Sequence, residues 1–233
     1  MCYNIRKIFL QVNKMSEKII KTVTCPKCSE KSDVKLICSA NGKSVPNIKR
    51  TVLNDSFFKW KCPKCNFEKP LLHPFLYNDT ENDFMVYYIP QTKKRFLADE
   101  KIEKEYADLS DIKKRLVSNV SELKEKIIIL ENHYNDMAIE LAKHAVARIV
   151  EKTAAQTIAE GYFLEMDQAE NTVSFQFFIG PEKRPYIQTT RFEVYNRSLE
   201  LVKKQFADTD KHDGFIKIDS EWAKEAFRIY KNK

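Results

Sequence analysis

Cys25-Pro26-Lys27-Cys28 and Cys62-Pro63-Lys64-Cys65 repeat one short turn twice in the first third of the chain. A Cys-x-x-Cys turn sets two thiolates on one side of a tight loop, so two such turns supply a tetrahedron of sulfur. Zinc favours that set, with Zn–S distances of about 2.3 Å. Cys25, Cys28, Cys62 and Cys65 are therefore the expected metal ligands. Iron in the same four-thiolate set is the alternative ion. Four thiolates close the coordination sphere and leave no position for water or substrate, which points to a structural rather than a catalytic ion. The segment between the knuckles, Ser29 to Lys61, exceeds the roughly 15–20 residues of the commonest four-cysteine pattern. A hairpin or an extra strand is expected to fill it. Ser29 and Asn66 follow the second cysteine of each knuckle, where the backbone usually turns to positive φ; Asn tolerates that region better than Ser.

Other uses of paired cysteines fit less well. A thioredoxin-like redox pair needs a neighbouring βαβ pattern, and none surrounds either knuckle. Structural disulfides belong to exported chains, and nothing here has the form of an export signal. The apolar piece Ile8-Phe9-Leu10 is too short for one. Residues 1–14 read as a disordered or misassigned extension ahead of Met15-Ser16-Glu17-Lys18. No run approaches the roughly 18 apolar residues of a membrane span, so a cytoplasmic location is expected.

Composition removes several function classes. Only four glycines occur, and they are scattered, so phosphate-binding and dinucleotide glycine loops are absent. The net charge of +7 is unevenly placed. Residues 1–90 carry 15 Lys and Arg against 8 Asp and Glu, whereas residues 91–233 carry 25 of each. Four thiolates and a divalent ion add a net −2, which Lys27, Lys61, Lys64 and Lys59 are placed to offset. The basic signal is modest beside what a nucleic-acid face requires.

Along the chain, Lys31 to Ala40 alternates as a strand with Val34, Leu36 and Cys38 on one face. Cys38 then reads as a small buried hydrophobe rather than a fifth ligand. Asn41-Gly42 marks a turn. Phe57 to Lys61 forms a second strand that puts Phe58 and Trp60 on the side of Cys62, as shields for the metal. Their exposure for base stacking is the competing reading. Phe84 to Ile89 is a buried strand ended by Pro90.

The two Cys-Pro-x-Cys knuckles resemble the CpXC domain family of bacterial proteins. The likeness continues through Pro70-Leu71-Leu72, Leu76-Tyr77-Asn78-Asp79 and Phe84-Met85-Val86, then Arg115-Leu116-Val117 and Glu125-Lys126-Ile127. It extends to Asn135-Asp136, Ile139-Glu140-Leu141, Lys143, Ile218-Asp219 and Trp222-Ala223. The resemblance implies zinc binding and brings no catalytic residues with it.

The fold class expected is α+β: a zinc-ribbon-like β module over 15–97, then an α+β domain over 98–233 with a helical pair and a small antiparallel sheet. Asp99 to Asp111 reads as a solvated helical link. Asn119-Val120-Ser121-Glu122 has capping-box spacing and opens the helical pair, about 119–152. In its second helix Ile139, Ala142, Val146, Ile149 and Val150 share one face. His133, Asp136, Glu140 and His144 fall on the other, as a wet stripe or a second metal site. Strands follow over about 161–194: a hairpin turning at Gln168 to Asn171, then Tyr186 to Val194. Ser198 to Phe206 is a helix, Phe215 to Ile218 a short strand, and Asp219 or Ser220 caps a last helix over about 220–231. His73 and His212 stand alone, and no nucleophile–base pair occurs. The expected function is a non-enzymatic zinc-binding protein whose ribbon steadies a surface for a protein partner. Nucleic-acid binding through the basic half is the alternative.

Overall fold

The local rules of the sequence produce thirteen short strands and five helices among the described residues of a computed structural model, a mixed α+β fold. The structure describes residues 18–43, 45–98, 112–210 and 214–231. The expected extension 1–14, the link 99–111 and His212 lie outside them. The chain forms two compact units, Met1–Lys124 with Asp213–Ile216, and Glu125–His212 with Lys217–Lys233.

The first unit begins with a hairpin of β1 (Lys18–Thr24) and β2 (Lys31–Ile37). A second, shorter hairpin pairs β4 (Lys59–Lys61) with β5 (Glu68–Pro70). The strand expected to run through Ala40 breaks at Cys38. The chain then enters β3 (Ser39–Asn41), which pairs parallel to β6 (Phe75–Asp79) in a different sheet. A six-residue helix, α1 (Ile48–Leu53), and a 3-10 turn (Ser56–Phe58) complete the long segment between the knuckles. The extra strand was legible; α1 was not, being shorter than two turns.

The main sheet has six strands in the order β3-β6-β7-β9-β13-β8, where β7 is Phe84–Tyr88, β8 Phe96–Ala98, β9 Lys113–Val117 and β13 Gly214–Ile216. Every residue of β6 and β7 is buried. That matches the continuous apolar run of β7, since a strand covered on both faces needs no alternation, whereas β6 also buries the polar Asn78 and Asp79 at its end. One face gathers Leu76, Met85, Tyr87, Leu116 and Phe215. The other carries an aromatic cluster in which Phe58 meets Tyr88 at 5.2 Å and Phe57 meets Phe75 at 4.5 Å between ring centroids. Gly42 allows the turn after β3 to pass over Tyr77: an added Cβ would lie 2.0 Å from its hydroxyl oxygen. This sheet draws strands from both sides of the division expected at residue 98. β9 and β13 come from beyond it: β9 pairs parallel to β7, and β13 lies between β9 and β8, partners far apart along the chain where a local reading sees only isolated short strands.

In the second unit, α3 (Asp136–Ala154) packs on a three-stranded antiparallel sheet of β10 (Ile158–Asp167), β11 (Thr172–Ile179) and β12 (Arg184–Arg191). Val173, Phe175, Phe177 and Ile179 point inward from β11 at period two. Helix α4 (Glu193–Gln205) starts earlier than expected, and β12 is correspondingly shorter. Helix α5 (Ser220–Lys231) is capped by Asp219, whose Oδ1 accepts the Trp222 N–H at 3.0 Å. Helix α2 (Val120–Glu131) starts in the first unit and ends in the second. Its cap is a variant of the expected box: Asn119 Oδ1 accepts the Glu122 N–H, and Glu122 reaches back to the N–H of Ser118. Of the face expected for α3, Ile149 is 63% exposed, while Met137, Ala138 and Leu141 are buried in its stead.

Candidate metal centre

The two knuckles are copies in backbone as well as in sequence. Each is a six-residue link across an antiparallel pair, closed by Thr24↔Lys31 in one and Lys61↔Glu68 in the other. In the first, Cys25 donates its N–H to Glu30 O at 2.8 Å and its carbonyl accepts the Ser29 N–H at 2.9 Å. In the second, Cys62 donates to Phe67 O at 2.8 Å and accepts from Asn66 at 3.0 Å. Ser29 at φ 60° and Asn66 at φ 57° take the left-handed conformation expected after each second cysteine. That turn aims both thiols of a knuckle to one side.

The four Sγ atoms, of Cys25, Cys28, Cys62 and Cys65, lie within 4.8 Å of one another. Cys25 and Cys65 approach to 3.6 Å across the knuckles, as do Cys28 and Cys62. Sulfurs at 2.3 Å from a tetrahedral ion stand about 3.8 Å apart, whereas a disulfide requires about 2.05 Å. The donor set and its span therefore fit one metal ion held by four thiolates. Cys25 and Cys62 are buried and Cys28 and Cys65 partly so, with Val23 and Trp60 forming an apolar jacket.

The thiols are unequal. Burial opposes ionisation of Cys25, but backbone hydrogen bonds from Cys28 and Lys27, then thiol contacts, outweigh it and bring its pKa down to about 7. At Cys28 a backbone hydrogen bond from Glu30 favours the thiolate. Burial and the three neighbouring cysteines outweigh that, pushing it up to about 12. Packed thiols that cannot all ionise alone are what a divalent cation would stabilise as thiolates.

Around the sulfurs, the expected roles divide. Trp60 is buried against the cysteines, with Lys69 Nζ 5.4 Å from its ring centroid. Phe58 turns instead into the aromatic cluster of the main sheet, because the 3-10 turn shifts its direction. Both rings are at most 5% exposed, so neither offers a face for base stacking. Cys38 is buried outside the four-sulfur group, its carbonyl accepting the Leu76 N–H at 2.9 Å. Two of the lysines expected to balance the sulfur charge serve as ion-pair partners. Lys61 meets Glu68 at 3.5 Å, and Lys64 meets Glu30 of the other knuckle at 3.4 Å. His73 is buried, its ring nitrogens 3.0 Å from the carbonyls of Leu71 and Ile37.

The stripe on α3 divides: its two carboxylates are buried, His133 is exposed and His144 half-buried, and the four do not gather as a set of metal ligands. Asp136 and Glu140 are buried against Lys126 and Lys143, and His133 lies before the helix at φ 57°. His144 leans on the Phe227 ring, and burial, then Arg148 and Lys224, lower its pKa. Helical spacing groups residues on a face but does not say which side the neighbours occupy. The signal that pointed inward was the pair of opposite charges on α2, Glu125 and Lys126.

Among the described residues no helix is long and apolar enough to cross a membrane. No curated protein matches the chain, and neither does any solved structure. The family model described as CpXC protein matches residues 23–143, a span that holds both knuckles, the central strands and the start of α3. With more than half of its length matched, and with the paired cysteine turns brought to one point in space, the chain belongs to the CpXC family.

Proposed function

We propose that Cys25, Cys28, Cys62 and Cys65 hold a structural zinc ion, and that the ribbon so braced presents a surface to a protein partner in the cytoplasm. The single observation behind this is the gathering of four sulfurs from two hairpins within 4.8 Å. The hairpins are small, so their packing alone supplies little stability, and zinc in comparable peptides contributes roughly 10–16 kcal/mol. A protein rather than nucleic-acid partner is favoured by two features. The aromatic rings near the metal are buried, and two of the nearby lysines are ion-paired. Ile20 on β1, 75% exposed, and Leu72, 48% exposed, are apolar side chains left for a partner to cover. Free thiols at all five described cysteines suit a reducing compartment.

The test measures metal content by elemental analysis of reduced protein, then recovers bound proteins and nucleic acids from native cells. One zinc per chain and a protein captured by wild type but lost with Ile20→Asp support the reading. Absence of metal removes the ion. Capture of nucleic acid that weakens steeply with salt replaces the protein partner with a phosphate backbone.

A further inference from the structure

The outer strand of the second unit's sheet is β12, and among the described residues no strand pairs with its far side. Its residues pair with β11 in an unbroken antiparallel register, from Arg184↔Ile179 to Arg191↔Thr172. In such a ladder alternate residues direct both backbone groups at the neighbour, and the rest direct both away. Phe192, next along the chain, donates its N–H to Asn171 O at 2.9 Å and so belongs to the inward set. Arg184, Tyr186, Gln188 and Thr190 then face β11, while Pro185, Ile187, Thr189 and Arg191 face outward. Pro185 has no N–H to give, and in the outward set it costs the ladder nothing.

The N–H and C=O groups of Ile187, Thr189 and Arg191 thus form a template open to another chain. One of them already has a local stand-in: the Gln188 side-chain amide donates to Thr189 O at 2.7 Å. Ile187 is 61% exposed and opposite Gln176, on the sheet face turned away from the buried Phe175 and Phe177. Charge says what kind of chain fits. No acidic residue occurs between Arg184 and Arg191. Arg184 donates to the Gln156 side-chain amide at 3.1 Å, and neither guanidinium meets a carboxylate among the described residues. Two copies joined edge to edge would bring four guanidiniums to one seam, and like charges across a ladder are destabilising. With Pro185, the arginines blunt the edge against self-association. They leave residues 187–191 open to a strand of opposite sign.

We propose that the outer edge of β12 accepts an extended, acidic segment of a partner protein as a further strand. Main-chain hydrogen bonds to Ile187, Thr189 and Arg191 supply the affinity, and Arg184 and Arg191 select the charge. The test uses the full chain and a fluorescent, end-blocked peptide as long as β12, valine alternating with threonine and glutamate at both ends. A second peptide carries lysine in place of both glutamates. The acidic peptide should bind saturably and slow hydrogen exchange at the Ile187, Thr189 and Arg191 amides, read singly by NMR. The lysine peptide should bind on the order of tenfold more weakly, since two facing pairs turn from opposite to like charge. Thr189→Pro removes one outward donor and leaves the inward ladder whole, so it should weaken the acidic peptide several-fold. Thr189→Val keeps the donor and should bind as wild type does. Should Thr189→Pro not fold, Arg184→Glu with Arg191→Glu decides, and preference should pass to the lysine peptide. Absence of saturable binding, equal binding of the two peptides, or protection elsewhere than 187–191 overturns the proposal. A dimer that protects these amides without peptide overturns it in favour of a second copy.

Discussion

Replacing Cys62 with alanine removes the least exposed of the four sulfurs. Its Sγ is 3.6 Å from Cys28, and its backbone closes the second knuckle through Phe67 and Asn66. The backbone bonds survive the change, so the loss falls on the metal. Shared evenly among four ligands, the roughly 10–16 kcal/mol of a structural zinc assigns each about 3 kcal/mol. At 1.4 kcal/mol per tenfold, zinc affinity should fall on the order of 10²-fold or more. A chromogenic chelator competing for the ion reads this directly, and limited proteolysis should show new cleavage in the hairpins of residues 18–37 and 59–70. Cys38→Ala is the matched control. That cysteine is equally buried but outside the sulfur group, so metal content should stay at wild-type level, with a stability cost of about 1 kcal/mol. Cys62→Ala holding metal within tenfold of wild type, or Cys38→Ala losing it, would refute the assignment of ligands.

Metal uptake should release protons, since thiols must ionise to bind. With Cys25 brought down to about 7, apparent affinity should drop as pH falls through neutrality, which chelator competition at a series of pH values measures. In the second unit, Lys143→Met strips Glu125 and Glu140 of their shared cation. Breaking a buried pair from one side costs about 3–5 kcal/mol, readable in urea unfolding, and a loss under 1 kcal/mol would show the network to be energetically idle.

Legibility followed the range of the interaction that decides each feature. The knuckles were readable because a Cys-x-x-Cys turn is a local object, and its positive-φ residue and hydrogen bonds stay within six residues. The caps at Asn119 and Asp219 were readable for the same reason, as were the period-two strand β11 and the buried run of β7. The direction of the α3 stripe was not. Asp136 and Glu140 are polar, so amphipathicity assigns them to solvent, whereas Lys126, brought alongside from α2, pairs with both in the interior and Lys143 adds a second cation at Glu140. Nor was the end of the expected ribbon at residue 97 visible, since β9 and β13 join the same sheet from later in the chain.

What the amino-acid order determined alone was the gathering of four cysteines in two knuckles, the α+β class and the starts of α2 and α5, each set by backbone sterics and near-neighbour hydrogen bonds. Tertiary structure decided which strands share a sheet, that Phe58 and Trp60 serve different cores, and that five charges lie together in the interior. Those outcomes depend on pairings between distant segments. Their energies come from excluding water between surfaces that no single stretch of sequence contains.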